Sequence, residues 1–276
     1  MIRLAAALAV CAACQGPAPA PGQAEAAPLE PEPGVLRLGG SGAAGPLARA
    51  LAAAYSGELR PVVEESIGTG AGVRAVADGA VDLALGSRPL SPAELKLGLR
   101  IFPVATDAVV LAANRAVAAD DLSTADLLAL FAGERRSPGG SPVTLLLRDS
   151  GESANLTVDG AIPGMAEARP RGYARGLTVV YRDEAMLAAL FGSRQAIGLS
   201  SLALLEESGM PLKALRLAGR APSLAALASG EWPLRRTIWL AARPQRLARV
   251  QAFLDHARSA RGRALIEAAG YLPERP

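Results

Sequence analysis

The sequence predicts an α/β fold with mostly parallel sheets, and three observations carry that expectation. From Val35 onward, short aliphatic runs alternate with helix-like segments, the rhythm of strands and crossover helices. Three of those runs break into small residues and then resume as a helix: Gly39-Gly40-Ser41-Gly42, Ser66-Ile67-Gly68-Thr69-Gly70-Ala71-Gly72 and Arg148-Asp149-Ser150-Gly151-Glu152-Ser153. The chain has 276 residues, half of them hydrophobic and only 4% aromatic, which suits one large or two modest domains with aliphatic cores.

Val35–Leu38 reads as the first strand. Pro46–Tyr55 follows as a helix with proline in its first turn, where the missing N–H costs nothing. Arg60–Glu64 is a second strand, and Gly72–Asp78 a short helix that ends at Gly79. Val81–Leu85 is an apolar strand leading to Ser87-Arg88-Pro89. Ser91 with Glu94 three residues on forms a capping box for the helix Ser91–Leu95. Ile101–Ala105 and Ala108–Ala113 read as two further strands.

A second unit begins near Asn114. Leu122–Asp126 opens a helix that runs to Phe131 and stops at Gly133, and Gly139-Gly140 is a turn. Val143–Leu147, Thr178–Tyr181 and Ala196–Leu199 are strands, with a helix at Asp183–Leu190. Leu212–Leu217 and Thr237–Ala241 are late strands, and Arg246–Ser259 is a long helix. Composition and rhythm place a lobe boundary near 112–114 and a return near 212. The expected organisation is residues 35–112 plus 213–276 in one lobe and 113–212 in the other.

The N-terminus reads as an address and a tether. Met1-Ile2-Arg3 precedes the apolar run Leu4–Ala13, too short to span a membrane and fitting a secretory signal. Ala12-Ala13-Cys14 places small residues before a cysteine, so residues 1–14 are expected to be a lipoprotein signal with Cys14 lipidated. Cys11 stands where leucine is usual, and a plain secretory peptide is the alternative. Residues 15–34, rich in Pro, Ala and Glu, read as a flexible linker. The body is thereby expected outside the cytoplasm, at the periplasmic or cell-surface side of a membrane.

Charge and rare residues exclude several function classes. The 29 basic residues, all arginine except Lys96 and Lys213, interleave with 26 acidic ones, and no basic run with aromatics suggests nucleic acid. The two cysteines, Cys11 and Cys14, both precede the body, leaving it without a disulfide, thiolate metal site or cysteine nucleophile. His256 is the single histidine and lies in an amphipathic run, where a surface helix position is expected. There is no Gly-x-Ser-x-Gly elbow or set of paired metal ligands, so a hydrolase is disfavoured, and no cofactor is expected.

The three breaks carry the functional reading. A helix N-terminus has unpaired N–H groups and a positive dipole end. Glycine lets backbone approach a ligand, and a hydroxyl adds a donor. Several such termini converging on one point form an anion cage, to which an arginine adds charge and a bidentate fork. All three breaks lie at the carboxyl ends of their strands, where α/β sheets bind ligands.

The residues also match a family. In order they are GGSGAAGPLARALAAAY (39–55), IGTGAGVRAVADGAVDLALGSRPL (67–90), FPVATDAVVLAAN (102–114), LSTADLLALFAG (122–133), VTLLLRDSGES (143–153), AIGLSSLALL (196–205), SGEWPLRRTIWL (229–240) and GRALIEAAGYLP (262–273). Over about residues 35–275 the chain resembles the phosphate-type substrate-binding proteins of bacterial ABC importers, within the type II periplasmic binding-protein superfamily. The resemblance implies two lobes joined by a two-strand hinge, closing over phosphate or a similar oxyanion for delivery to a membrane permease. It implies a monomeric, non-enzymatic receptor.

Carried over residue by residue, the resemblance implicates Ser41 and the backbone of Gly42 and Ala43 in the first loop. It implicates Thr69 with Gly70 in the second, and Ser87-Arg88 at a strand end. In the third loop it implicates Arg148, with Ser150 and, after a one-residue shift, Ser153. Some family members carry an aspartate where Arg88 stands, accepting the proton of a monohydrogen oxyanion. Glu152 repels an anion unless it turns outward or pairs with arginine.

Each assignment has a structural alternative. Arg148 pairs on the surface with Asp149 or Glu152, or contacts the anion. Arg88 clamps ligand or ties the strand end to Asp107. Thr69 is a helix cap, a binding group or both. Ser41 is a turn residue or a donor. Asp82 and Asp107 read as structural, and Trp232 and Trp239 as packing residues. The same fold holding molybdate, tungstate, sulfate or a phosphonate, and a membrane-tethered anion sensor without transport, are the competing functions.

Overall fold

In the computed structural model, which describes residues 29–134, 137 and 140–275, each aliphatic run becomes a strand whose neighbours come from distant sequence. The signal peptide with Cys14, the first part of the linker and Gly139 lie outside those residues.

The first half of the chain contributes β1 (Val35–Gly40), α1 (Gly45–Ala54), β2 (Arg60–Val63), α2 (Thr69–Asp78), β3 (Leu83–Gly86), α3 (Pro92–Leu95), β4 (Arg100–Asn114), β5 (Asp121–Leu122) and α4 (Thr124–Phe131). The second contributes β6 (Thr144–Arg148), α5 (Ser153–Ala161), α6 (Met165–Ala174), β7 (Val179–Val180), α7 (Asp183–Gly192), β8 (Ala196–Ser201) and α8 (Leu202–Glu207). It closes with β9 (Leu212–Ala214), β10 (Arg216–Leu217), α9 (Leu224–Ser229), β11 (Arg235–Ala242), α10 (Leu247–Arg258), α11 (Ala260–Ala268) and β12 (Leu272–Pro273). A short 3-10 turn, Gly42–Ala44, precedes α1.

The principal sheet runs β2-β1-β3-β11-β4-β8-β6-β7. Its two ends are parallel: β1 with β2 and β3, and β6 with β7 and β8. Its middle is antiparallel, where β11 and β4 pair along Arg100–Ala108 before β4 passes on to pair with β8 through Val109–Ala113. One 15-residue strand thus replaces the two strands expected over 101–113. The polar Thr106-Asp107 interrupts the apolar run in sequence but not in space, because Asp107 lies opposite Arg236 in the register and pairs with it.

The apolar interior divides at that crossing. Leu36, Leu38, Leu47, Leu83, Ile238, Leu240, Phe253 and their neighbours form one large cluster, with a small one of Val73, Val76, Val81, Ala84, Trp239 and Ala241 beside it. Val109, Leu111, Phe131, Leu147, Leu190 and Leu199 belong to the other large cluster, together with Leu215, Leu217, Leu227, Trp232 and Leu234. The 212–234 segment buries its leucines and Trp232 against the second unit, and the Trp232 indole N–H donates to the Val109 carbonyl at 3.0 Å.

Residues 29–34, expected within a flexible linker, are docked. The Leu29 N–H donates to the Asp78 carbonyl at 2.7 Å, and Glu30 pairs with Arg246 at 2.7 Å. His256 is half-buried, its ring packed edge-on to Tyr55 and its Nε2 3.2 Å from the Leu51 carbonyl oxygen. Among the described residues no helix is long and apolar enough to cross a membrane.

Candidate functional site

The ends of β1, β3 and β6 and the starts of α1, α2 and α5 meet in a buried hydroxyl chain. Ser41 Oγ lies 2.7 Å from Ser87 Oγ, and Ser87 Oγ donates to Ser153 Oγ at 2.8 Å. Thr69 Oγ1 accepts from the Ser87 N–H at 3.3 Å and lies 3.4 Å from its hydroxyl. All four side chains are buried. Ser41, Thr69 and Ser87 come from the first unit and Ser153 from the second, so the chain of hydroxyls crosses the division between them. The glycines permit the approach: at Gly72 in the first turns of α2, a Cβ would lie 2.6 Å from the Gly40 Cα, so helix and strand touch backbone to backbone.

Two buried arginines flank the hydroxyls and differ in how they are satisfied. Arg236, on β11, donates from Nε to Asp107 at 2.8 Å and from Nη1 to Ser153 Oγ at 2.8 Å, while its Nη2 lies 2.7 Å from Asp107. Ser201 completes the Asp107 shell by donating at 2.7 Å. Burial pushes the Asp107 carboxyl up, opposed by the adjacent Arg236 charge. Arg148, at the end of β6, is only 1% exposed but loosely held. Its Nη2 lies 3.3 Å from both Glu152 and Asp183 and 3.4 Å from the Tyr181 carbonyl, and its buried Nη1 has no hydrogen-bond partner. Charge-assisted pairs reach about 2.7–2.9 Å when optimised, so Arg148 keeps donor capacity in reserve.

The backbone around Arg148 is fixed from behind. The Tyr173 hydroxyl donates to its carbonyl, and the Asn155 amide donates to the Asp149 carbonyl at 2.6 Å. Asp183, the first residue of α7, packs against the first loop: a Cβ on Gly42 would lie 2.5 Å from its Oδ2. The Tyr271 hydroxyl donates to the Ala43 carbonyl at 2.7 Å and anchors the same turn. Glu152 is neither turned outward nor fully paired. Burial raises its pKa above the usual carboxylate value, the Arg148 charge opposes that shift, and Asp183 adds to it.

Counted together, two arginines, Arg148 and Arg236, face three carboxylates, Asp107, Glu152 and Asp183. With every group ionised these five side chains carry a net charge of −1.

Of the expected binding residues, Ser41, Thr69, Ser87 and Ser153 are brought together, with Gly42 and Ala43 in the adjoining turn and Arg148 joined to that turn through Asp183. Gly70 lies in the first turn of α2 beside the Arg88 guanidinium. Arg88 itself neither joins the cluster nor reaches Asp107. It forms a fork on Glu94 at 2.7 and 2.8 Å because the capping-box glutamate of α3 sits within reach of the strand end. Ser150 is exposed on its loop, outside the hydroxyl chain, because the turn of Asp149–Glu152 places Ser153 inward instead. Sequence reasoning missed Arg236 and Asp183 as site residues. Arg236 carried a signal: Leu234, Arg236 and Ile238 share the inward face of an alternating strand, and a charge there must be paired.

Two cavities open from the cluster. On the Ser41–Gly42 side, a space of about 180 Å³ is bordered by Glu64, Glu65 and Glu184. On the Ser87–Ser153–Arg236 side, a cleft of about 730 Å³ has three arginines and no carboxylate in its walls.

Residues 19–261 match the family model described as the PBP superfamily domain. No curated protein matches the chain. Among solved structures, the chain resembles a Clostridium perfringens protein assigned as a phosphate ABC transporter substrate-binding protein and determined with bound phosphate. The TM-score is 0.76 at 18% identity, covering 87% of this chain and 100% of that one. A phosphate-binding protein from Stenotrophomonas maltophilia gives 0.65 at 14% identity, covering 87% and 91%. An ABC-type phosphate transport receptor from Vibrio cholerae gives 0.60 at 19% identity, covering 87% and 100%. At these identities the likeness is one of fold.

Proposed function

The chain belongs to the PBP superfamily, and on that premise we propose that it is an extracytoplasmic receptor that captures phosphate or a similar tetrahedral oxyanion for an ABC importer. In this reading Cys14 carries the lipid that tethers it to the membrane, and the receptor acts as a monomer without catalysis. The observation that supports the reading is the buried Arg148, whose Nη1 has no hydrogen-bond partner and whose Nη2 meets Asp183, the carboxylate that packs against Gly42 beside Ser41.

The mechanism follows from the geometry. The lobes, residues 35–107 with 235–273 and residues 108–234, separate at the β4–β11 crossing. An oxyanion takes the place of the direct hydroxyl contacts between Ser41, Ser87 and Ser153. The N–H groups of Gly42, Ala43, Thr69 and Gly70 add neutral donors, and Arg148 supplies charge. Arg236 orients the Ser153 hydroxyl while remaining locked on Asp107. Closure then selects the bound state. Cages of this kind suit dissociation constants near micromolar, about −8 kcal/mol.

The excess of carboxylates favours an oxyanion that brings its own proton. A carboxylate only accepts, so hydrogen phosphate satisfies it and sulfate does not. Titration calorimetry tests both points. Phosphate is expected to bind, sulfate to bind on the order of 10²–10⁴-fold more weakly, and Arg148→Ala to weaken phosphate binding by about 2–5 kcal/mol. Unchanged phosphate affinity in Arg148→Ala removes that residue from the site, and heat from tungstate or sulfate alone overturns the choice of anion.

A further inference from the structure

The cleft beside the hydroxyl cluster is too large for a bare oxyanion. Its roughly 730 Å³ falls within the range of about 300–1,000 Å³ that encloses drug-sized ligands. It is also continuous with the cluster, since Ser87, Ser153 and Arg236 belong to its wall. The rest of that wall is of a different kind. Leu156 and Gly160 on α5 face Pro233 and Trp239 across the gap, and most of the exposed lining is apolar.

Charge then narrows the occupant. The cleft walls carry Arg88, Arg235 and Arg236 and no acidic side chain. Arg88 and Arg236 are committed to Glu94 and Asp107, whereas Arg235 is exposed and makes no ion pair among the described residues. The acidic side chains lie on the opposite flank, at Glu64, Glu65 and Glu184. The large cleft thus has no acidic side chain in its walls, whereas the smaller space sets Arg49 against three glutamates.

We propose that this cleft is a subsite for the organic substituent of a phosphomonoester, neutral or acidic, whose phosphate sits among the serine hydroxyls. The proposal rests on the oxyanion reading above. The phosphoryl oxygens take the Ser41, Ser87, Ser153 and Arg148 donors, and the ester oxygen points out past Ser87 and Ser153. Apolar parts of the substituent cover Leu156 and Pro233, and an acidic group on it reaches Arg235. A cationic substituent meets only like charge.

Gly160 provides the test. A side chain there meets no atom within 4 Å, and the residue has ordinary helical backbone, so a larger residue enters the cleft without disturbing the fold. Calorimetry is run on wild type, Gly160→Phe and Arg235→Ala with inorganic phosphate, phenyl phosphate, 3-phosphoglycerate and phosphoethanolamine. At about pH 5, below the second ionisation of a phosphomonoester near 6 so that each ester keeps a proton, wild type is expected to bind phenyl phosphate and 3-phosphoglycerate at least as tightly as phosphate, and phosphoethanolamine at least tenfold more weakly. Gly160→Phe is expected to weaken phenyl phosphate at least tenfold while holding phosphate within twofold. Arg235→Ala is expected to weaken 3-phosphoglycerate alone, which keeps the test intact if the phenylalanine variant misfolds. Binding of phosphate without either ester overturns the subsite and leaves the oxyanion reading standing. Ester binding insensitive to both substitutions overturns its location. Binding of none of the four by wild type overturns the oxyanion reading itself.

Discussion

Arg148 and Arg236 are both buried, yet their surroundings assign them different work. Arg236 has its charge met at 2.7–2.8 Å by Asp107 and is held in one orientation. Arg148 has only long contacts to Glu152 and Asp183, and one nitrogen without a partner. A buried donor without an acceptor costs about 1–3 kcal/mol, a cost that an anion bound as proposed would remove. Glu152 sets the pH response. Its raised pKa means that it is neutral at low pH and ionises only as pH climbs above the usual 4.5. The ionised form repels the anion, so affinity is expected to fall as pH rises through that raised value. Glu152→Gln is expected to flatten the profile and to improve sulfate binding. Comparing the two proteins at each pH by calorimetry cancels the titration of phosphate itself.

At the scale of elements, strand ends and helix starts position the donors, and one short helix keeps Arg88 away from them. The Ser91–Glu94 capping box of α3 turns the Glu94 carboxylate toward both the Ser91 N–H and the Arg88 fork. The Arg88 hydrogen bonds are the main cause that holds the Glu94 carboxyl at about 2, against a usual 4.5. A depressed carboxyl contributes stability that is complete above 4.5 and is lost as pH falls through about 2. Glu94→Gln is therefore expected to lower Tm at neutral pH, with the difference from wild type narrowing as the solution is acidified toward that value. A constant difference across the acid range would show that the pair contributes nothing through its charge. The same elements explain why Arg88 looked like a ligand contact in sequence: strand-end position is local, but its partner, Glu94, lies on the following helix.

Across the whole molecule, the β4–β11 crossing joins the two large apolar clusters and carries the buried Asp107–Arg236–Ser201 network. The network ties the crossing to the site, because Arg236 also donates to Ser153 of the second unit. Removing one partner leaves a buried charge alone. Asp107→Ala is expected to cost about 3–5 kcal/mol in urea unfolding, and Arg236→Met added to it is expected to recover much of that loss. If the double variant is no more stable than the single one, the pair is not what holds the crossing. If the proposed closure acts at this crossing, phosphate is expected to shrink the radius of gyration in X-ray scattering of wild type and to leave Arg148→Ala unchanged.

The amino-acid sequence determined the strand–helix rhythm, the three glycine-rich strand ends, the capping of α3 and the serine and threonine donors. Each of these depends on a few neighbouring residues and on backbone geometry that glycine, proline or a capping hydroxyl sets locally. Only the tertiary structure decided which charges meet. Arg236 lies 129 positions from Asp107, Asp183 reaches Gly42 and Arg148 from a separate helix, and Arg88 is diverted to Glu94. Burial forces every ion to find a partner, but spacing along the chain carries no information about which partner the packed sheet delivers. The unpaired nitrogen of Arg148, and the two cavities of opposite lining beside it, exist only once those pairings are made.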